Sequence, residues 1–216
     1  MKALVILSGG QDSTTCLFWA LKKYGAGNVH AIGYDYEQRH KTELAFARGI
    51  CDANNVPFSI LPLPVLADIT NNALTDSDMK VDTKKYDNTP PNTLVEGRNL
   101  LFLSYAAIYA KAHGIRVLII GVSEADNSGY PDCRDMFIKS CNITINVGMD
   151  YPFIVETPLM WLSKAEIWKL ADDLGILEVI RTKTLTCYNG VVGDGCKNCP
   201  ACHLRKKGYD EFLCMR

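Results

Sequence analysis

MKALVILSGGQDSTTCLFWAL, residues 1–21, joins an apolar run at Ala3–Leu7 to an amphipathic pattern through Ser8-Gly9-Gly10-Gln11-Asp12-Ser13. The run has a strand's length. Cys16, Leu17, Ala20, Leu21 and Tyr24 follow at helical spacing, with Gly25 as a stop. A strand feeding directly into a helix presents unpaired N–H groups and the positive end of the helix dipole. Glycines let that backbone approach an anion closely, and hydroxyls add donors. Ser8, Gly9, Gly10, Ser13 and Thr14 therefore suit a phosphate. Asp12 fits beside an anion only if it faces a metal ion, such as nucleotide-bound Mg²⁺, or a hydrogen-bond donor. The stretch matches neither the Walker A spacing nor the G-x-G-x-x-G dinucleotide fingerprint. A tight Gly-Gly turn with a serine cap on an ordinary helix remains the alternative.

Further along, short apolar runs at His30–Tyr34, Phe58–Leu61, Val117–Gly121 and Phe153–Glu156 alternate with helical patterns. That alternation predicts an α/β fold with an open, mostly parallel sheet and flanking helices. Helices fit Lys41–Asn54 and Asn99–His113, the second apolar nearly all round and so expected to be buried. Ser163-Lys164-Ala165-Glu166 has the form of a capping box opening a helix that Gly175 ends. Residues 62–96 are polar and rich in Asn, Asp, Thr and Pro, and read as a lid or substrate loop. The expected division is an α/β domain at 1–181 and a C-terminal segment at 182–216 packed on it.

Of nine cysteines, Cys187, Cys196, Cys199 and Cys202 crowd together while the others are scattered. In a reducing compartment such a cluster points to metal rather than disulfides. Four thiolates close a tetrahedral structural zinc site with no open position, one ion per chain. C-x2-C-x2-C spacing also occurs in iron–sulfur ligation, and His203 is an alternative ligand.

Gly121–Asp135 follows the fourth expected strand and offers Glu124, Asp126, Tyr130, Asp132 and Arg134 around a Gly-Tyr-Pro turn. Ligands of open α/β sheets sit beyond the carboxyl ends of strands. A carboxylate there accepts both N–H groups of a guanine-like edge, a ring stacks, and an arginine pairs a substrate carboxylate. Without further information, a loop whose charges meet solvent explains the same residues.

A formal net charge of −1 advertises no nucleic-acid surface. The longest apolar run, near Leu100–Ala110, is too short to cross a bilayer, and the N-terminus lacks a signal-peptide layout. A cytoplasmic protein with neither nucleic-acid nor membrane partners is expected.

S-G-G-x-D-S after the first strand resembles the loop of the PP-loop ATP pyrophosphatases, and Ser163–Ile167 resembles their second phosphate-side element. SGGQDSTTCL, Gln38-Arg39-His40, Gly97-Arg98-Asn99, GYPDCRD, TPLMW and the four-cysteine tail together resemble the 7-cyano-7-deazaguanine synthase family of queuosine biosynthesis over nearly the whole chain. The resemblance implies ATP bound along Leu7, Ser8, Gly9, Gly10, Gln11, Asp12, Ser13, Thr14, Thr15, Cys16 and Leu17, with Mg²⁺. It implies catalytic roles for Lys164 and Asp12, structural zinc on the four clustered cysteines, and deazaguanine contacts at Arg98, Tyr130, Asp132 and Arg134. The implied reaction joins 7-carboxy-7-deazaguanine and ammonia into the nitrile through two adenylations, and a homodimer fits the family. Glu96, Asn127 and Ser123 depart from its pattern, where proline, an aromatic and cysteine are usual.

Two rivals remain. A tRNA-thiolating PP-loop enzyme needs a reactive cysteine, for which Cys133 is the candidate. A non-catalytic adaptor would use the metal tail, with Lys206-Lys207, to bind nucleotide or RNA.

Overall fold

The computed structural model describes residues 1–39, 42–76, 78–82, 91–124 and 130–215. Five strands, β1 (Ala3–Ile6), β2 (Val29–Asp35), β3 (Phe58–Pro62), β4 (Val117–Ile119) and β5 (Ile154–Glu156), form one sheet in the order β3-β2-β1-β4-β5. All neighbouring pairs are parallel, with Ala3 opposite Val29 on one side and Val117 on the other. All four residues of β1 are buried, as a central strand covered on both faces requires.

Helices α1 (Gln11–Tyr24), α2 (Thr42–Ala53), α4 (Arg98–Ala112), α5 (Asp135–Met149) and α6 (Lys164–Asp173) flank the sheet. Among the described residues, the remaining α-helices are the short α3 (Val65–Ile69) and α7 (Leu177–Thr182) and the longer α8 (Pro200–Cys214). Alternate residues of β1 point to opposite faces. Leu4 and Ile6 pack with Leu103, Ala106 and Ala107 of α4 and Ile138 of α5, while Ala3 and Val5 pack with Leu17 and Ala20 of α1 and Ala47 of α2. A further apolar cluster joins Trp168 of α6, Ile180 of α7 and Phe212 of α8.

The capping box is formed as the sequence indicates: Glu166 N donates to Ser163 Oγ at 3.3 Å, and Ser163 N to Glu166 Oε2 at 2.7 Å. Helix α4 differs from expectation. Leu100, Tyr105 and Ile108 are exposed, because only one face meets the sheet. Helix α5 was not evident from the sequence. Ile143-Thr144-Ile145-Asn146-Val147 alternates with the period of a strand, and tertiary packing overrides that pattern. Residues 62–96, expected as a loop, contain α3 and bury Leu66, Asn72, Ala73, Thr93 and Val95; residues 77 and 83–90 lie outside the described set.

The strand order reverses at β1, whose successor β2 lies on one side and β4 on the other. The loops leaving β1 and β4 therefore diverge, opening a crevice at their carboxyl ends.

Candidate active site

Gly9 and Gly10 turn the chain from β1 into α1. Gly9 has φ +90°, and a Cβ there would lie 2.2 Å from the Glu43 carbonyl oxygen, so only glycine fits. The loop's polar groups bond one another. Ser8 N donates to Ser13 Oγ at 3.2 Å, Gly10 N to Ser8 Oγ at 3.3 Å, and the two serine hydroxyls lie 3.0 Å apart. Asp12 Oδ2 accepts a hydrogen bond from Lys164 Nζ at 2.6 Å, bringing together two groups far apart in sequence. Its place beside an anion site is thus explained by a donor. Its second oxygen, Oδ1, is buried without a protein partner, which suits a hard cation such as Mg²⁺.

These residues open into a cavity of about 630 Å³, a size suited to a small-molecule site. Its lining includes Leu7, Ser8, Gly10, Gln11, Asp12, Ser13 and Lys164 together with Tyr34, Tyr36, Arg98, Phe102 and Tyr130. Of the remaining expected ATP-loop residues, Gly9 backs onto α2, and Thr14, Thr15, Cys16 and Leu17 occupy the buried face of α1. Burial raises the Cys16 thiol, with Asp12 adding to the effect, so it stays neutral as a core residue does.

The deazaguanine candidates separate. Arg98 and Tyr130 reach the cavity wall. Tyr130 OH lies 2.7 Å from Thr93 Oγ1 and 3.3 Å from Tyr188 OH. Asp132 is buried behind the wall and takes Asn99 N on Oδ2 at 3.1 Å, while Asn99 Nδ2 donates to the Asp132 carbonyl. It anchors the first turn of α4, and so the backbone that carries Arg98. Arg134 is exposed and outside the wall. Among the described residues no carboxylate ion-pairs with Arg98. Burial opposes its charge, but Tyr36, Asp132, Tyr130 and Tyr188 outweigh that and raise its pKa, so it stays a cation. Tyr34 stacks on Phe102 with ring centroids 4.2 Å apart. Gln38, Glu43 and this aromatic pair carried no local signal beyond the Gln38-Arg39-His40 motif, because three separate elements bring them together. His40 and Asn127 lie outside the described residues. Ser123 is buried and donates to Leu162 O at 3.1 Å, so its hydroxyl is satisfied.

The four clustered cysteines place their sulfurs within 4.8 Å of one another, which fits a tetrahedral thiolate site for one metal ion. Backbone N–H groups of Asn189 and Cys199 point at Cys187 Sγ and Cys196 Sγ, and Asn189 Nδ2 donates to Cys196 Sγ at 3.2 Å. Burial raises the Cys196 thiol, but the donors of Asn189, Asn198 and Cys199 outweigh it and bring it down to about 6. The His203 ring turns instead to the Lys197 carbonyl, 2.6 Å away.

This tail is tied to the phosphate loop. Leu185 N donates to Gly9 O at 3.0 Å and Gln11 N to Thr186 Oγ1 at 3.3 Å. Buried Arg205 of α8 donates to the hydroxyls of Thr184 and Thr186 and to Ile180 O. Gly208 lets α8 lie on Lys164, where a Cβ would come within 2.4 Å of that residue's own Cβ.

The family described as queuosine biosynthesis protein QueC matches residues 2–213. The chain belongs to the QueC family. It is 59% identical over 98% of its length to the 7-cyano-7-deazaguanine synthase of Clostridium acetobutylicum, covering 94% of that protein. It is 56% identical to that of Clostridium botulinum strain 657, covering 98% of this chain and 95% of the relative. Among solved structures, a predicted subunit of tRNA methyltransferase from Methanocaldococcus jannaschii matches with a TM-score of 0.52 at 17% identity, over 80% of this chain and 74% of that one. NMN synthetase from Francisella tularensis matches with a TM-score of 0.50 at 16% identity, over 83% and 63%. The QueC-family chain shares the fold of these two structures. Among its described residues, no helix is long and apolar enough to cross a membrane.

Proposed function

We propose that the protein is a C–N bond-forming ligase that converts 7-carboxy-7-deazaguanine, ammonia and ATP into 7-cyano-7-deazaguanine. One observation carries the reading: a phosphate-type loop and the Arg98 guanidinium, free of any ion pair among the described residues, open into the same cavity. A carboxylate is a poor electrophile, since attack on it must expel oxide. Transfer of AMP to its oxygen supplies a leaving group, and ammonia then gives the amide. A second adenylation, on the amide oxygen, allows loss of AMP and a proton to leave the nitrile.

In this reading the main-chain N–H groups and hydroxyls of Ser8–Ser13 hold the triphosphate. Lys164 offsets charge building on the leaving pyrophosphate, and Asp12 orients Lys164. Asp12 Oδ1 would hold Mg²⁺, which neutralises phosphate charge when bound. Arg98 pairs the substrate carboxylate, and Tyr130 bounds the heterocycle. Zinc on Cys187, Cys196, Cys199 and Cys202 is structural and leaves no position for substrate. The enzyme works in the cytoplasm as a homodimer without nucleic-acid or membrane partners; exposed Ile108 of α4 and Val147 of α5 support a covered face.

The test incubates the protein with ATP, Mg²⁺, ammonium and 7-carboxy-7-deazaguanine and follows nucleotides and bases by mass spectrometry. One AMP for each oxygen removed, together with nitrile, is expected. ADP in place of AMP would overturn the adenylation scheme, and AMP formed only with tRNA would overturn the substrate.

A further inference from the structure

Glu43, in the first turn of α2, places a carboxylate on the cavity wall that no step above uses. Its Oε1 accepts a hydrogen bond from Gln38 Nε2 at 3.3 Å. Gln38 is itself pinned: Nε2 also donates to Tyr34 O at 3.2 Å, and Oε1 accepts from Tyr36 N at 2.9 Å. The Glu43 backbone is fixed as well, because Gly9 of the phosphate loop presses on its carbonyl. The carboxylate therefore lines the cavity from a residue whose backbone lies against Gly9 and whose charge is within reach of Arg98.

Among the described residues, the groups facing it are few. Arg98 of α4 attracts it from beyond ion-pair distance, and the Tyr36 phenol at the end of β2 is pushed up to about 12 mainly by burial and stays neutral. Arg39 also lines the cavity. Among the described residues, Glu43 makes no ion pair. Burial raises its carboxyl to about 7, against the lowering effect of Arg98 and Gln38. Among the described residues, the cavity thus holds a guanidinium and a carboxylate that attract each other without forming an ion pair.

The proposed reaction needs one more small ion. Ammonium, the dominant form at neutral pH, has no lone pair and must lose a proton before it attacks. We infer that Glu43 is the catalytic residue that captures ammonium in the cavity and removes that proton, an assignment that rests on the synthase reading. Glu43 takes one proton from NH₄⁺, and the freed lone pair forms the C–N bond at the adenylated carboxyl carbon. The C–O bond to the adenylyl phosphate then breaks with its electrons going to AMP, and nitrogen's second proton leaves to water. A base with a pKa near the working pH suits this transfer.

The test compares the full-length parent with Glu43→Gln and Glu43→Asp at pH 7, using ammonium or hydroxylamine as nucleophile. Hydroxylamine is neutral at that pH and attacks without prior proton loss. For Glu43→Gln, kcat/KM for ammonium is expected to fall about 100-fold, while hydroxylamine reacts at the parental rate and the KM values for ATP and the acid hold. The deficit shrinks as pH rises toward the pKa of ammonium, and Glu43→Asp recovers part of the rate. Equal losses with both nucleophiles, or a raised dissociation constant for 7-carboxy-7-deazaguanine by calorimetry, would overturn the assignment and make Glu43 a reader of the base's N–H edge. A parent whose kcat/KM for ammonium shows no ionisation between pH 6 and 8 would also overturn it, without any variant. A parent that makes neither amide nor hydroxamate from the acid would sink the synthase reading itself.

Discussion

Thr186 Oγ1 accepts the backbone N–H of Gln11 at 3.3 Å, so the residue before the first clustered cysteine holds the first residue of α1. Leu185 N on Gly9 O and Arg205 on the Thr186 hydroxyl extend the same strap. The cysteine tail is therefore part of the loop's support, and its Thr186, Cys187 and Tyr188 also line the cavity.

Metal removal should act through this strap. Chelation under reducing conditions, or Cys199→Ser, is expected to release one zinc ion per chain and lower the melting temperature together with ATP affinity. Metal analysis and calorimetric ATP titration check it. Unchanged ATP affinity in a metal-free, folded protein would show the strap to be dispensable.

Lys164→Ala and Asp12→Asn each break the ion pair at the loop. Turnover is expected to drop about 100- to 1,000-fold, the range for losing a group aimed at developing charge. Stability should fall as well, by about 1–3 kcal/mol, because each variant leaves one member of a largely buried pair without its partner. Pyrophosphate release and a thermal melt separate the two effects.

Gly9→Ala should be severe for a different reason. The new methyl meets the Glu43 carbonyl and the backbone keeps a left-handed φ. A loss of about 3 kcal/mol is expected from strain and displacement of α2, readable by urea unfolding.

Arg98→Ala is expected to raise the dissociation constant of 7-carboxy-7-deazaguanine by about tenfold or more, as removal of a charge-assisted partner does, with ATP affinity retained. Parallel calorimetric titrations decide this, since a purely structural arginine would weaken both ligands.

Glu43 also predicts a pH-dependent stability. Its carboxyl sits at about 7 when folded against about 4.3 in an unfolded chain, so its stabilising share is complete below the lower value and lost as pH rises through the upper one. Glu43→Gln should therefore be more stable than the parent at pH 8, by about 2 kcal/mol, with the gap closing at pH 5. Melts at both pH values test the sign.

Local features were legible where one segment carries its own signal. The Ser8–Ser13 turn, the Ser163–Glu166 box and the clustered cysteines each announce themselves within a stretch of sixteen residues or fewer, and the alternating runs give the parallel sheet. Glu43 and Phe102 carry no such mark, and Gln38 only its place in the Gln38-Arg39-His40 motif, since their value comes from converging on one cavity. The Gln11–Thr186 bond spans most of the chain and leaves no trace in either neighbourhood. Helix α4 was expected to be buried all round because its apolar residues show no strong one-sided pattern, yet only the structure shows which face Leu103 and Ala106 commit to the sheet.

The central position of β1 has a consequence for synthesis. On the ribosome β1 emerges first, but its neighbour β4 follows more than a hundred residues later, and Thr186 later still. Such distant pairings close slowly, since a long stretch of chain must be ordered before they form. A partly made chain thus carries the Ser8–Ser13 loop without the residues that brace it, and the loop gains its full support only once Leu185, Thr186 and Arg205 have been made.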